Sequence, residues 1–335
     1  MRRRGSFSKE QWQMINSISK YNLQFTKLKR AYQYGGAPHK PILLLSILEG
    51  VSRGEIISNQ IEITPELIMC FKEYWSKLVI TSHQMNFALP FYHMRTEPFW
   101  NLVCKPGYEV ALTTSHSVKS LSALNDALLY AEIDPELFLL MNEPLTNGVL
   151  RMTLVKTYFP NEKEIKVNYG LLKNIENQIL HESQAEYQSR IEALQSSLSK
   201  EEVQEELFVR GSIFKREVPK LYSYTCAISR MKVASTSNVQ MVDACHIVPF
   251  SVSKDDTISN GISLSPNLHR AFDRGLISID SNYKVVVSKK LREDNTPFAL
   301  NRFNGVDILL PESQVFFPEI QNLNWHFQNT FIDSF

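Results

Sequence analysis

Long apolar runs are missing from this 335-residue chain. No stretch approaches the ~20 consecutive apolar residues that a membrane-spanning helix needs, so no membrane span is expected. Cysteine is scarce as well. Cys70, Cys104, Cys226 and Cys245 are scattered, which argues against a disulfide framework and against a paired-cysteine zinc knuckle. Charge of one sign is not in surplus: 36 Lys and Arg face 35 Asp and Glu, for a net charge of +1. The average composition therefore does not advertise a polyanion as partner. Met1-Arg-Arg-Arg-Gly-Ser-Phe has charge but no apolar segment behind it, so it does not read as a secretory signal. A reducing, cytoplasmic protein is the expectation.

What is present begins with an asymmetry. Residues 1–40 hold nine basic side chains (Arg2, Arg3, Arg4, Lys9, Lys20, Lys27, Lys29, Arg30, Lys40) against the single acid Glu10. Such a patch can track phosphates and release counterions, although a solvated helix face would look the same. The length favours two domains, and 43% hydrophobic residues suffice for a core in each.

The first half reads as mainly helical. Trp12, Ile15, Ile18, Leu23, Phe25 and Leu28 recur at helical spacing until Gly35-Gly36-Ala37-Pro38 breaks the pattern. Pro41 then opens a buried helix to Glu49, and Thr64-Pro65-Glu66 caps another to Leu78. Residues 87–110 are aromatic and β-prone, which predicts a small hairpin. Helices are expected over Ser117–Ala131, Pro135–Met141 and Gly148–Tyr158. Residues 170–207 are charged, poor in Gly and Pro, and carry a sparse stripe of Ile175, Ile179, Ile191, Leu194 and Leu198. That pattern predicts one long connecting helix, with a surface on which two copies could pair.

The second domain is expected from Phe208 onward. Phe214, Val218 and Tyr222 mark a helix face; Val239–Val248 alternates as a strand; Ser265-Pro266 opens a short helix to Arg274; Leu276–Ser288 reads as a hairpin. The expected fold class is α+β, with domains at 1–169 and 208–335. Asp243-Ala-Cys-His246 and Asn260-Gly-Ile-Ser-Leu-Ser-Pro-Asn-Leu-His269-Arg-Ala-Phe-Asp273-Arg stand out chemically. Imidazole is a competent base near neutral pH, and His246 fits that role with Asn260 orienting it. His269 and Asp273 lie four apart on the expected helix, so both face one way and suit two ligands of one divalent cation. Mg²⁺ or Mn²⁺ is the first expectation, a later transition metal the second. Arg270 and Arg274 flank them and can hold phosphate. A lone strand histidine is ordinarily a satisfied core residue, and a His/Asp pair ordinarily a surface pair. Their fixed order and short separations favour a site.

These residues also resemble the HNH endonuclease superfamily, in the branch that reads Cys-Ala-Ile, Ala-His-Ile-Val-Pro-Phe, Asn-Gly-Ile-Ser-Leu and Leu-His-Arg-Ala-Phe-Asp-Arg-Gly. The resemblance runs from about Phe208 to the end, taking in Phe303-Asn-Gly and Trp325-His326. It implies a ββα-metal fold, hydrolysis of DNA, His246 as general base, Asn260 as its orienting residue, His269 as a metal ligand and Asp273 as a second. Many HNH enzymes carry Asp or His directly before the base, where this chain has Cys245. That leaves the cation to fewer protein groups plus a substrate phosphate, or brings in Asp243.

The first domain, over roughly residues 20–165, resembles the DNA sulfur-binding domain of phosphorothioate-dependent type IV restriction enzymes. The resemblance rests on Ala37-Pro-His39-Lys40-Pro-Ile-Leu-Leu-Leu, Leu89-Pro90-Phe91 and Pro98-Phe99-Trp100. It implies double-stranded, phosphorothioated DNA as partner, Pro90 as an apolar seat for sulfur, and His39 and Lys40 beside it, with Tyr92, His93 and Arg95 on the same face. A nuclease that reads a methylated base or a sequence, and a DNA-binding protein with an inactive HNH fold, are the alternatives.

Overall fold

The computed structural model describes residues 9–109, 120–160, 167–233 and 240–334. They form two compact units: residues 1–172 with 198–209, and residues 173–197 with 210–335.

The first unit is built on the helix His39–Ser52. Ile42 to Leu45, Ile47 and Leu48 are fully buried on every side of it, as expected of a helix that is hydrophobic all round. Pro65–Leu78 and Pro144–Tyr158 pack against it. Thr64 accepts a hydrogen bond from the Leu67 amide and Pro65 fills the first turn, the start that the sequence predicts. The expected local hairpin near residue 90 is absent. Ala88–His93 is instead a helical turn, and the strand Trp100–Cys104 pairs antiparallel with Leu128–Ile133, which also pairs with Gln60–Ile61. The helix expected over Ser117–Ala131 is thus shortened to Leu121–Ala127 and followed by a strand; residues 117–119 lie outside the described ones. Ser120 caps that helix by accepting from the Ala123 amide.

The long helix expected over 170–207 is also corrected. Three helices occupy this part of the chain: Gly170–His181, Gln184–Ser197 and Lys200–Leu221. Each break is a capping box, in which a serine and a glutamate three residues on satisfy each other's backbone amides. Ser183 pairs with Glu186, and Ser199 with Glu202. Ile175, Ile179 and Ile191 are buried in the core of the second unit, which accounts for the apolar stripe.

In the second unit, Asp243–His246 pairs antiparallel with Gly261–Leu264, with His246 opposite Gly261 and Cys245 opposite Ile262. The helix Pro266–Asp273 follows at once. Ile277–Ile279 and Val285–Val287 form the expected hairpin, and Ile320–Asn329 packs on its first strand. Glycine is required at 261. A Cβ there would lie 2.6 Å from Val218 and 2.9 Å from Phe214.

Beneath the short helix, His326 is buried and stacked on Phe272 with ring centroids 3.6 Å apart. Its Nε2 donates to the Phe272 carbonyl at 3.1 Å, so the neutral ring accepts from Ser278 Oγ, 2.9 Å away, at Nδ1. Burial depresses its pKa from 6.5 to about 4, against the opposing pull of the Phe272 carbonyl. The unfolded chain therefore takes up this proton first on acidification. The contribution is complete above pH 6.5 and is lost as pH falls from there to about 4, in all roughly 3 kcal/mol. Urea unfolding at pH 7.0 and 4.5 should show that loss in the wild-type chain and a clearly smaller one in His326→Gln.

Candidate active site

Strand alternation divides the side chains of Asp243–His246 between two faces. Asp243 and Cys245 meet the helix Pro266–Asp273, whereas His246 meets a separate set of partners. On the helix side, His269 Nε2 lies 3.5 Å from Asp273 Oδ2, and His269 Nδ1 lies 3.4 Å from Asp243 Oδ2. The Cys245 sulfur is 3.8 Å from Asp273 Oδ1. One donor atom from each of Cys245, His269 and Asp273 falls within 4.8 Å of the others. The expected pair His269/Asp273 is thus brought together, and a third donor joins them at the position where the sequence left the ligand set open. Asp243 takes a different place. By accepting from Nδ1–H it would fix the tautomer that presents the Nε2 lone pair, the arrangement in which a carboxylate orients a metal-bound imidazole. Burial pushes the Cys245 thiol well above its ordinary range, and the carboxylates of Asp273 and Asp243 push it further. This is an electronegative cluster of sulfur, nitrogen and oxygen donors, and its chemistry fits a divalent cation.

His246 stacks on Phe214, with centroids 4.0 Å apart and planes 9° from parallel. Its Nε2 donates to Asp256 Oδ1 at 2.9 Å, which leaves Nδ1 with the lone pair in the neutral ring. The sequence expectation for Asn260 is corrected here, because its side chain does not hold the imidazole. Fully buried, it accepts from the Val248 amide at 2.8 Å and donates to the carbonyls of Val248 and Asp255. It closes the loop 247–260, and that loop delivers Asp256. Sequence reasoning missed Asp256, although Asp255 and Asp256 are the only acids between His246 and Asn260. Asp255 is buried beside it, and burial raises its pKa against the opposing hydrogen bonds from Thr257. Arg270 and Arg274 are exposed, and among the described residues neither guanidinium has an ion-pair partner.

In the first unit, His39, Lys40 and Pro90 line one cavity of about 850 Å³, together with Lys27, Lys29 and Arg30. Leu89 and His93 also line it, whereas Tyr92 is buried in the core and Arg95 stacks over the Tyr92 ring. Lys40 does not offer a free charge. Its ammonium is buried, 2.5 Å from Glu97 Oε1 and 2.8 Å from Thr96 Oγ1. Burial lowers its pKa and Glu97 opposes that shift. His39 bonds the Gln84 carbonyl at 2.9 Å and packs edge-on against Trp75; burial lowers its pKa as well. The basic groups at the cavity are therefore Lys27, Lys29 and Arg30.

The ββα segment that holds the cluster is similar to a known family. Residues 226–280 match the HNH endonuclease family, and this match supports a nuclease role. Among solved structures, a modification-dependent TagI restriction endonuclease aligns at 20% identity and a TM-score of 0.25, spanning 34% of this chain and 35% of that one. Comparison with curated proteins finds no match. No helix among the described residues is long and apolar enough to cross a membrane.

Two substitutions separate orientation from stability. Asp243→Asn should weaken divalent-cation binding about 10–100-fold, as loss of an outer partner does; titration calorimetry would show it, and unchanged affinity would remove Asp243 from that role. Lys40→Ala strands a buried carboxylate and should cost about 3–5 kcal/mol of stability, read as a lower urea midpoint.

Proposed function

We propose that the protein is a modification-dependent restriction endonuclease that binds phosphorothioated double-stranded DNA and hydrolyses it at a one-metal HNH site. The observation that supports the nuclease half is the gathering of Cys245, His269 and Asp273 at one face of the strand that also carries the carboxylate-held His246, on the segment that matches the HNH family.

The mechanism follows from the donors. Asp256 fixes the His246 ring through Nε2, so Nδ1 is the atom that takes a proton from the attacking water. Phe214 keeps the imidazole flat against an apolar wall and limits its rotation. His269 and Asp273, with the sulfur of Cys245, would hold the divalent cation. When bound, the cation supplies charge neutralisation at the phosphoryl and leaving 3′ oxygens. The exposed guanidiniums of Arg270 and Arg274 are free to pair with flanking phosphates. The expected products carry 5′-phosphate and 3′-hydroxyl ends. One such site makes one nick, so a double-strand break needs two copies or two binding events.

The recognition half is supported by the cavity of the first unit. Sulfur in place of a non-bridging oxygen is large, polarizable and poorly hydrated, so an apolar seat favours it while nearby cations hold the backbone. Pro90 and Leu89 offer the seat, and Lys27, Lys29 and Arg30 the cations. Lys40 contributes to the wall and not to the charge.

The decisive assay uses two duplexes of one sequence, with and without stereodefined Rp phosphorothioates, in the presence of a divalent cation. Cleavage of the sulfur-bearing duplex alone is expected, abolished by EDTA and reduced about 10²–10⁴-fold by His246→Ala. Equal cleavage of both duplexes would keep the nuclease and discard sulfur recognition. Cleavage of a methylated duplex alone would replace sulfur by a modified base.

A further inference from the structure

The cation cluster has a donor that oxygen-seeking metals do not call for. This inference rests on the one-metal reading above and names the class of cation that its site takes. We propose that Cys245 binds as a thiolate, making this a sulfur–nitrogen–oxygen centre for a borderline transition-metal ion such as Zn²⁺ or Co²⁺ in preference to Mg²⁺.

Three observations support it. First, geometry: Cys245, His269 and Asp273 are the described residues whose donor atoms gather within 4.8 Å, and the sulfur lies 3.8 Å from the Asp273 carboxylate. Mg²⁺ requires near-octahedral oxygen ligands and retains much of its water, whereas thiolate, imidazole and carboxylate together are the donors of zinc-type sites.

Second, rigidity: the sulfur is carried by a strand paired along its whole length with Gly261–Leu264, and the other two donors by the helix that directly follows. Cys245 is fully buried, so its sulfur cannot swing out to solvent. A cation at His269 and Asp273 therefore finds the sulfur already in place. Three protein donors leave a fourth position of a tetrahedral ion open, as catalytic zinc sites do.

Third, an orienting carboxylate is in place: Asp243 Oδ2 lies 3.4 Å from His269 Nδ1, so in the tautomer protonated there it would support a metal-bound imidazole without being a ligand itself. The chemistry balances simply. The thiol proton leaves to solvent as the sulfur–metal bond forms, and no electrons are transferred.

The other thiols offer no competing centre among the described residues. The Cys70 sulfur contacts the Ser46 carbonyl and that of Cys226 contacts Ser265 Oγ.

The test uses the full-length protein with Co²⁺ as the probe, read by absorption. A thiolate-to-cobalt charge-transfer band is expected in the near ultraviolet, lost in Cys245→Ser and in Cys245→Ala. Zn²⁺ should displace the Co²⁺, and excess Mg²⁺ should not. Cys245→Ser should weaken Zn²⁺ binding by at least the about 10–100-fold that loss of an outer partner costs, with circular dichroism confirming the fold of both variants. Co²⁺ bound through His269, shown by visible bands that His269→Ala removes but without the sulfur band, would overturn thiolate ligation and leave the one-metal nuclease standing. Failure of the folded wild-type chain to bind Co²⁺, Zn²⁺ or Mg²⁺ would overturn both. Cleavage sustained by Mg²⁺ with no measurable Zn²⁺ or Co²⁺ binding would overturn the cation class alone.

Discussion

Hydrogen bonds from one buried carboxamide hold the two ends of the loop between the paired strands. Asn260 accepts from the Val248 amide, donates to the Val248 and Asp255 carbonyls, and through its own backbone carbonyl accepts from Ile247. Only a neutral amide can do all of this. A carboxylate of the same shape would have no donors and would strand a buried charge. The loop it closes carries Asp256, and Asp256 fixes His246. The asparagine therefore bears on the His246 imidazole through the chain, without touching it. The same loop, once closed, lets Gly261 lie opposite His246 and close against Phe214.

A single four-residue strand then separates two sets of partners. Its period of two places Asp243 and Cys245 against the short helix and His246 against Phe214 and Asp256. Proton transfer and cation binding need opposite surroundings. A base wants a partner that holds its tautomer and an apolar wall that limits its motion. A cation wants several electron-rich atoms held together despite their mutual repulsion. Carrying both sets of partners on one paired strand fixes their relative placement without a long loop. The same alternation governs the residue just before His246: at that position a side chain is bound to face the helix, whatever its type. Cysteine there is forced into the cluster.

Local signals were legible in the sequence and long-range ones were not. The cap at Thr64, the helix from Pro266 and the hairpin 277–287 all follow from neighbouring residues, and the structure has them. The sheet of the first unit joins Trp100–Cys104 to Leu128–Ile133. Neither strand advertises its partner, and Leu128 and Ala131 of the second, three residues apart, also fit a helical period. The breaks at Ser183 and Ser199 were legible in principle, since Ser-x-x-Glu is a helix-start signal. They were overlooked because no glycine or proline accompanies them. Among the site residues, spacing on one helix gave His269 and Asp273. Asp256 was hidden because its role depends on a loop closure fourteen residues wide, between Ile247 and Asn260.

Lys40 shows how burial changes the meaning of a basic residue. A lysine beside a proline and a histidine reads as a phosphate contact. Here Glu97 neutralises it inside the wall, where removing both charges from water is costly unless each is paired. Glu97 also accepts from the Lys29 amide, so the pair braces the chain at the base of the cavity. Lys29 in turn reaches the Thr96 carbonyl, and Arg30 stacks on Tyr158 while bonding the Ala37 carbonyl. Lys29 and Arg30 are thus held by carbonyls and a ring, and among the described residues no carboxylate pairs with either side chain. His39, with its pKa lowered by burial, adds a ring surface and little charge. The cavity therefore combines unneutralised cations with apolar and weakly polar walls. In such surroundings cations attract any phosphate, whereas apolar walls do not replace the hydration it gives up.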